Sequence, residues 1–238
     1  MTDFILTKGT TRATMPDKMR RVAFTLAEVL ITLAIIGIIA ALTIPNLIQS
    51  YKKKVASTRL KTFYSTMQQA IKLSEINNGS AFQWEKEKMA CDENGNIINE
   101  EQQRRALKFF NTYLANYLKT LKIESSPVRQ NMKLIYLPNG SYFEFNNGDC
   151  IDFMYDINGS ASPNEFGKDI YRFLLCNSQF NNTYHKLRPN NPFGSYAQFD
   201  INTREDALEK CKESPSYCSI LLEIFDNWEF KDDYPHKL

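Results

Sequence analysis

The sequence predicts an α+β protein in which one long helix packs on an antiparallel sheet. Three observations carry that expectation. Residues 24–44 form an apolar run containing one charge. Beyond Pro45, apolar residues recur mostly at helical spacing as far as Ile71. From Lys133 to Leu175 the period shortens to two, punctuated by Pro-Asn-Gly and Asn-Asn-Gly-Asp. Helical patterns followed by an alternating meander favour a helix-on-sheet head.

Taken in order, residues 1–23 are a basic segment, with Lys8, Arg12, Lys18, Arg20 and Arg21 against Asp3 and Asp17. Phe24 to Ile44 is twenty-one residues long, and Glu28 is its one charged residue. At 1.5 Å per residue such a helix spans about 30 Å, the thickness of a hydrocarbon core. The same helix is predicted to continue as an amphipathic segment over 46–78, with Ile48, Tyr51, Val55, Phe63, Met67, Ala70 and Ile71 as its apolar face. Asn77-Asn78-Gly79 is its stop signal, and Gly37 and Pro45 are its weak points. The remaining head, 79–238, begins with an irregular connection. A second amphipathic helix is predicted from about Glu100 to Lys122, with Leu107, Phe110, Leu114, Tyr117, Leu118 and Leu121 on one face. Strands are expected at 133–137, 141–145, 150–157 and 169–175. Residues 177–200 read as a surface excursion, Thr203–Lys212 and Pro215–Glu223 as short helices, and FDNWEFKDDYP as a last strand with an extended end.

Composition removes several function classes. Outside residues 1–23 the chain is nearly neutral, so no global charge argues for nucleic acid, and no basic-aromatic cluster does so locally. Two histidines, His185 and His236, lie in no nucleophile motif, and none of the five cysteines sits in a CxxC pair. No catalytic constellation emerges.

The apolar run has three readings. A secretory signal peptide normally has a shorter apolar region of 7–15 residues. A plain transmembrane anchor explains the length but not Glu28, since an acid in a bilayer is costly. The third starts from VAFTLAEVLITLAIIGIIAALTIPN, residues 22–46. That stretch resembles the N-terminus of type IV pilins and of type II secretion pseudopilins. The resemblance implies cleavage by a prepilin peptidase between Ala23 and Phe24, with N-methylation of Phe24. Ala23 stands where the family usually has Gly. Glu28 then becomes the fifth mature residue, and Pro45 occupies the position of the family's kinking proline. The implied function is a structural filament subunit, not an enzyme. Its implied partners are the peptidase, other pilin copies and an inner-membrane assembly platform. Before assembly it would cross the inner membrane once, N-terminus in and C-terminus out. The flanking charge leaves orientation open, since Lys52, Lys53 and Lys54 oppose the basic N-terminal segment.

Glu28 itself has two readings. It could pair with the Phe24 amine of a neighbouring subunit and so set assembly register. It also completes a Thr25-x-x-Glu28 capping box in the positive first turn of its helix. The alternative for the whole chain is a membrane-tethered extracytoplasmic binding protein that never polymerises.

Two head features carry possible chemistry. DINGSASPNEFGKD, residues 156–169, is a near miss to an EF-hand loop, with Met154 in the first ligand position. Because some pseudopilins bind calcium in this region, Asp152, Asp156, Asn158, Glu165 and Asp169 form an implied ligand set. The simpler reading of the loop is turn geometry. Type IV pilins commonly close a C-terminal loop with a disulfide, which implies a Cys211–Cys218 bond; two buried thiols are the alternative. Sequence does not pair Cys91, Cys150 and Cys176.

Overall fold

A computed structural model describes residues 24–177, 190–197 and 201–238. The basic segment 1–23, with Ala23, lies outside them, as does His185. The chain divides into two compact units at Pro45/Asn46. Helix α1 runs from Leu26 to Asn78 with Pro45 inside it. It stops where Gly79 takes a φ of 70°, a left-handed conformation that costs glycine little.

Within the second unit α1 is one-sided. Ala56, Leu60, Phe63, Met67, Ala70, Ile71 and Ser74 are buried, three or four residues apart along one stripe. Leu60 closes the gap that the apolar pattern shows at Arg59. Ile48 and Tyr51, expected on this face, are exposed, because the packed stripe begins only at Ala56.

The head is an antiparallel meander of six strands, each paired with its chain neighbour. They are β1 (Lys122–Ser125), β2 (Lys133–Tyr136), β3 (Tyr142–Asn146), β4 (Cys150–Asp156), β5 (Ile170–Cys176) and β6 (Phe193–Ser195). The register sets Phe143 opposite Tyr155, Phe145 opposite Phe153, and Phe153 opposite Phe173. This aromatic face receives α1: Phe63 stacks on Tyr155 at 3.9 Å and meets Phe173 edge-on at 5.2 Å. The second helix, α2, packs beside it through Phe110, 5.7 Å from Phe145. The opposite face of the meander is mixed, carrying Glu144, Asp152, Asp156 and Arg172 among Tyr142, Met154, Ile170 and Leu174.

Three expectations are corrected. Helix α2 spans Asn99–Tyr113 and ends well before Lys122. At Leu114 the chain turns, with the Leu114 and Ala115 amides both donating to the Phe110 carbonyl. Leu114 and Leu118 stay in the core, while Leu121 is exposed and Lys122 opens β1. Strand β6 lies inside the expected surface excursion, where Phe193 stacks on Phe173 at 5.6 Å. The last expected strand is a turn instead: Asn227 and Trp228 have positive φ, and the turn places the buried indole 6.0 Å from Phe173.

The C-terminal helices match their sequence signals. Helix α3, Arg204–Glu213, is capped by Thr203, whose hydroxyl accepts from the Asp206 amide while the Asp206 carboxylate accepts from the Thr203 amide. A helical run Pro215–Phe225 follows, opening as a 3-10 turn and closing as a π turn.

Candidate functional site

The first unit consists, in its described part, of apolar surface. Phe24, Leu26, Ile36, Ile38 and Leu42 are each more than half exposed. The stretch is long and apolar enough to cross a membrane. At its start Glu28 sits in the expected capping box. Its Oε2 accepts from the Thr25 amide and hydroxyl, both at 2.8 Å, and its own amide donates to Thr25 Oγ1 at 3.2 Å. Oε1 has no partner among the described residues.

In the second unit two disulfides are closed. Cys211 is bonded to Cys218, tying α3 to the helical run that follows. Cys150 is bonded to Cys176, a pair the sequence left open; they stand opposite each other at the ends of β4 and β5. Cys91 is free and exposed. His236 lies beside the first disulfide, its Nε2 3.0 Å from the Cys211 carbonyl oxygen. Two cysteines and a histidine so placed resemble a metal-ligating group. With the two sulfurs bonded to each other, no thiolate is available as a ligand.

The implied calcium set does not converge. Asp152 lies on β4 and is chelated by Arg172, whose Nε approaches Oδ1 at 2.8 Å. The Glu165 carboxylate turns to Lys168 at 2.6 Å. Asp156, Asn158 and Asp169 do come together, but as a hydrogen-bonded loop. Asp169 accepts from the Asn164 amide at 2.8 Å, the Glu165 amide at 2.7 Å and Asn158 Nδ2 at 3.2 Å. Asp156 accepts from the Asn158 amide at 3.0 Å. Calcium asks for six to eight oxygens, several of them charged. Here Asp169 already accepts three N–H donors, and Asp152 and Glu165 are turned away to Arg172 and Lys168. The residues therefore do not fit calcium, and the loop is held by the turn geometry that its Asn and Gly residues signal.

The lysine run after the apolar segment is only partly a solvated collar. Lys52 Nζ donates to the Leu238 carbonyl at 3.3 Å, and Lys53 Nζ to the Lys231 carbonyl at 3.2 Å. Arg204 holds the same tail through Asp226 and Asp233. On the face of the sheet away from α1, Arg129 and Arg172 line an open groove with Met154 and Phe166, each arginine already bound to a carboxylate, Glu144 and Asp152.

These features define an α+β head joined to a helix whose first half has the length and composition of a membrane span. The chain belongs to a family of unknown function (DUF6613), whose model matches residues 46–238, the whole of the second unit. No curated protein and no solved structure matches the chain.

Proposed function

We propose that this protein is a structural subunit of a type IV pilus or of a type II secretion-like pseudopilus. It is processed by a prepilin peptidase between Ala23 and Phe24 and polymerises through the first half of α1. The observation that carries this reading is a single acid, Glu28, five residues into an otherwise uncharged exposed apolar run. A carboxylate there costs free energy in a bilayer and is retained where it has a charged partner. The amine created at Phe24 would be largely cationic at neutral pH, since such groups titrate near 7.7–8.0. Local capping occupies Oε2 of Glu28 and leaves Oε1 for that amine on a neighbouring subunit. The fold agrees with the reading, because α1 and a meander head form the helix-on-sheet plan that the resemblance implies. The subunit waits in the inner membrane with its head outside, and the peptidase, an assembly platform and other pilins are its partners. Mass spectrometry of the N-terminal peptide tests the reading directly. The expected terminus is N-methylated Phe24. An intact Met1 terminus in membrane fractions, or a cut near Ala41, overturns it.

A further inference from the structure

The six-stranded meander has two edges, and the chain treats them differently. An edge strand leaves a row of backbone N–H and C=O groups open to pairing with another chain. At β6 that row is closed. Gln68 Nε2 donates to the Phe193 carbonyl at 3.1 Å, and the Ser195 amide donates to Glu223 Oε2 at 2.5 Å. At β1 it is open. The Ser126 amide donates to the Met132 carbonyl and the Leu137 amide to the Ser141 carbonyl, which sets the alternation of both ladders of β2. By that alternation Lys122, Glu124 and Ser126 turn their backbone groups toward β2. Ile123 and Ser125 turn theirs outward, where no group among the described residues meets them. Both residues are exposed, as are Leu121 before them and Val128 after.

Sheets often guard an open edge with a charge, commonly a lysine. Lys122 is such a guard against most strands, but Glu124 stands two residues on, on the same face. Glu124 is held there by the Tyr136 hydroxyl at 2.8 Å and by Lys122 itself. That spacing complements itself. A second copy of β1, laid antiparallel and centred on Ile123, sets Lys122 opposite Glu124 and Glu124 opposite Lys122. The two Ile123 residues exchange both backbone bonds, and each Ser125 amide faces the other copy's Leu121 carbonyl. The neighbouring register, centred on Glu124, sets two carboxylates face to face and is disfavoured.

We infer that β1 is a self-pairing edge, through which two copies of this chain join their sheets about a two-fold axis at Ile123. Four residues a side make a small interface, under the roughly 1,200 Å² of stable complexes, so the pair forms at high local concentration. The surface lies wholly in the head and does not depend on how residues 24–44 are read. Charge reversal tests it on the full chain in detergent, by sedimentation equilibrium. Lys122→Glu puts two acids on β1, and Glu124→Lys puts two bases there. Each alone should lower self-association about tenfold, as two cross-strand pairs turn from opposite to like charge. An equimolar mixture should restore wild-type association, because each variant then opposes the other's charge. Rescue by mixing also needs both variants folded, so it separates a lost interface from a lost fold. Unchanged association of either variant alone overturns the inference, as does a mixture that associates no more tightly than its components. A second measurement reads the register. With Cys91→Ser removing the free thiol, Lys122→Cys mixed with Glu124→Cys should form a disulfide-linked dimer under mild oxidation. Directly opposed residues of a non-hydrogen-bonded pair lie about 4.5 Å apart at Cα, within disulfide reach. Either variant alone should not cross-link, its thiols being out of register. Equal yields from the mixture and from the single variants overturn the pairing. Association through residues 24–44 is common to every variant and cancels in the comparison.

Discussion

The two halves of α1 have the same backbone and opposite surroundings. From Leu26 to Pro45 the apolar side chains are exposed on all sides of the helix; from Ala56 to Ser74 one stripe is buried and the rest faces outward. In water the second half is stable because the head's aromatic face covers its stripe. The first half has no such cover within the described chain, and exposed apolar surface on that scale marks a site of association or a membrane segment. The contrast teaches that the head is specified from within, by its own packing, while the first half of α1 finds no such packing among the described residues.

Glu28 offers the sharpest way to break that contrast. Glu28→Gln keeps the length and the capping box, since Gln can also accept from the Thr25 amide. If the first half of α1 is completed by another subunit, the variant should be inserted and cut but remain unpolymerised. An amine left buried and unpaired costs on the order of 3–5 kcal/mol per contact, a factor of hundreds or more in association. The ratio of sheared filament to membrane-retained subunit measures it. Equal ratios for variant and wild type would return Glu28 to a cap and favour a tethered protein that never polymerises.

The complementary change lies in the second half. Phe63 is buried against Tyr155, Phe143 and Phe173. Phe63→Ala should destabilise the head by about 3–5 kcal/mol, read as a shift in the denaturant midpoint, while membrane insertion is unchanged. Loss of insertion together with head stability would show that the two halves are not independently specified.

Smaller effects sharpen the account of the head. The Cys150–Cys176 bond closes 26 residues and the Cys211–Cys218 bond closes 7. Chain entropy then assigns about 3.5 and about 2.4 kcal/mol. Paired Cys→Ser variants compared by chemical denaturation should fall in that order. The reverse order would mean that the C-terminal clasp does more than restrict the unfolded chain.

The smallest effect is pH-dependent. The Asp156 carboxyl is raised to about 7 by burial and by Asp169, above its ordinary value near 3.9. The folded head therefore binds a proton more tightly than the unfolded chain does. The associated stability is fully present below about pH 4 and is lost as pH rises through about 7. Thermal melts should show the head a few degrees more stable near pH 5 than near pH 8, and Asp156→Asn should flatten that difference. An unchanged difference in the variant would assign the effect to another group.

Much of this architecture is legible in the residues, for identifiable reasons. The apolar run, the stop at Gly79, the alternation in β2 to β5 and the Thr203 cap all depend on neighbours within a few positions. Local sequence can therefore state them. The Cys211–Cys218 bond was implied by the pilin resemblance, and the structure closes it. What escaped depends on contacts distant in sequence. Leu121 continues a helical apolar pattern, yet the chain turns at Leu114 because Leu114 and Leu118 are drawn into the core. Strand β1 is four residues with little strand character, and it exists because β2 pairs with it. Phe193-Gly194-Ser195 is too short and too glycine-rich to announce a strand, and only Phe173 and Leu175 across the ladder make it one.

The candidate sites divide along the same line. Sequence by itself determined the uncharged run, the position of Glu28 within it and the basic residues that follow, because these are properties of order along the chain. Only tertiary structure decided that Cys150 meets Cys176, since that pairing follows from strand register. Only tertiary structure separated Asp152 from Asp156 and Asp169, since alternate residues of β4 meet different neighbours: Asp152 reaches Arg172 and Asp156 reaches the loop. That the β6 edge is closed while the β1 edge is open was invisible for the same reason. The closing groups, Gln68 and Glu223, lie 125 and 28 positions from Phe193 and Ser195, and no spacing rule extends across a fold whose distances are set by packing.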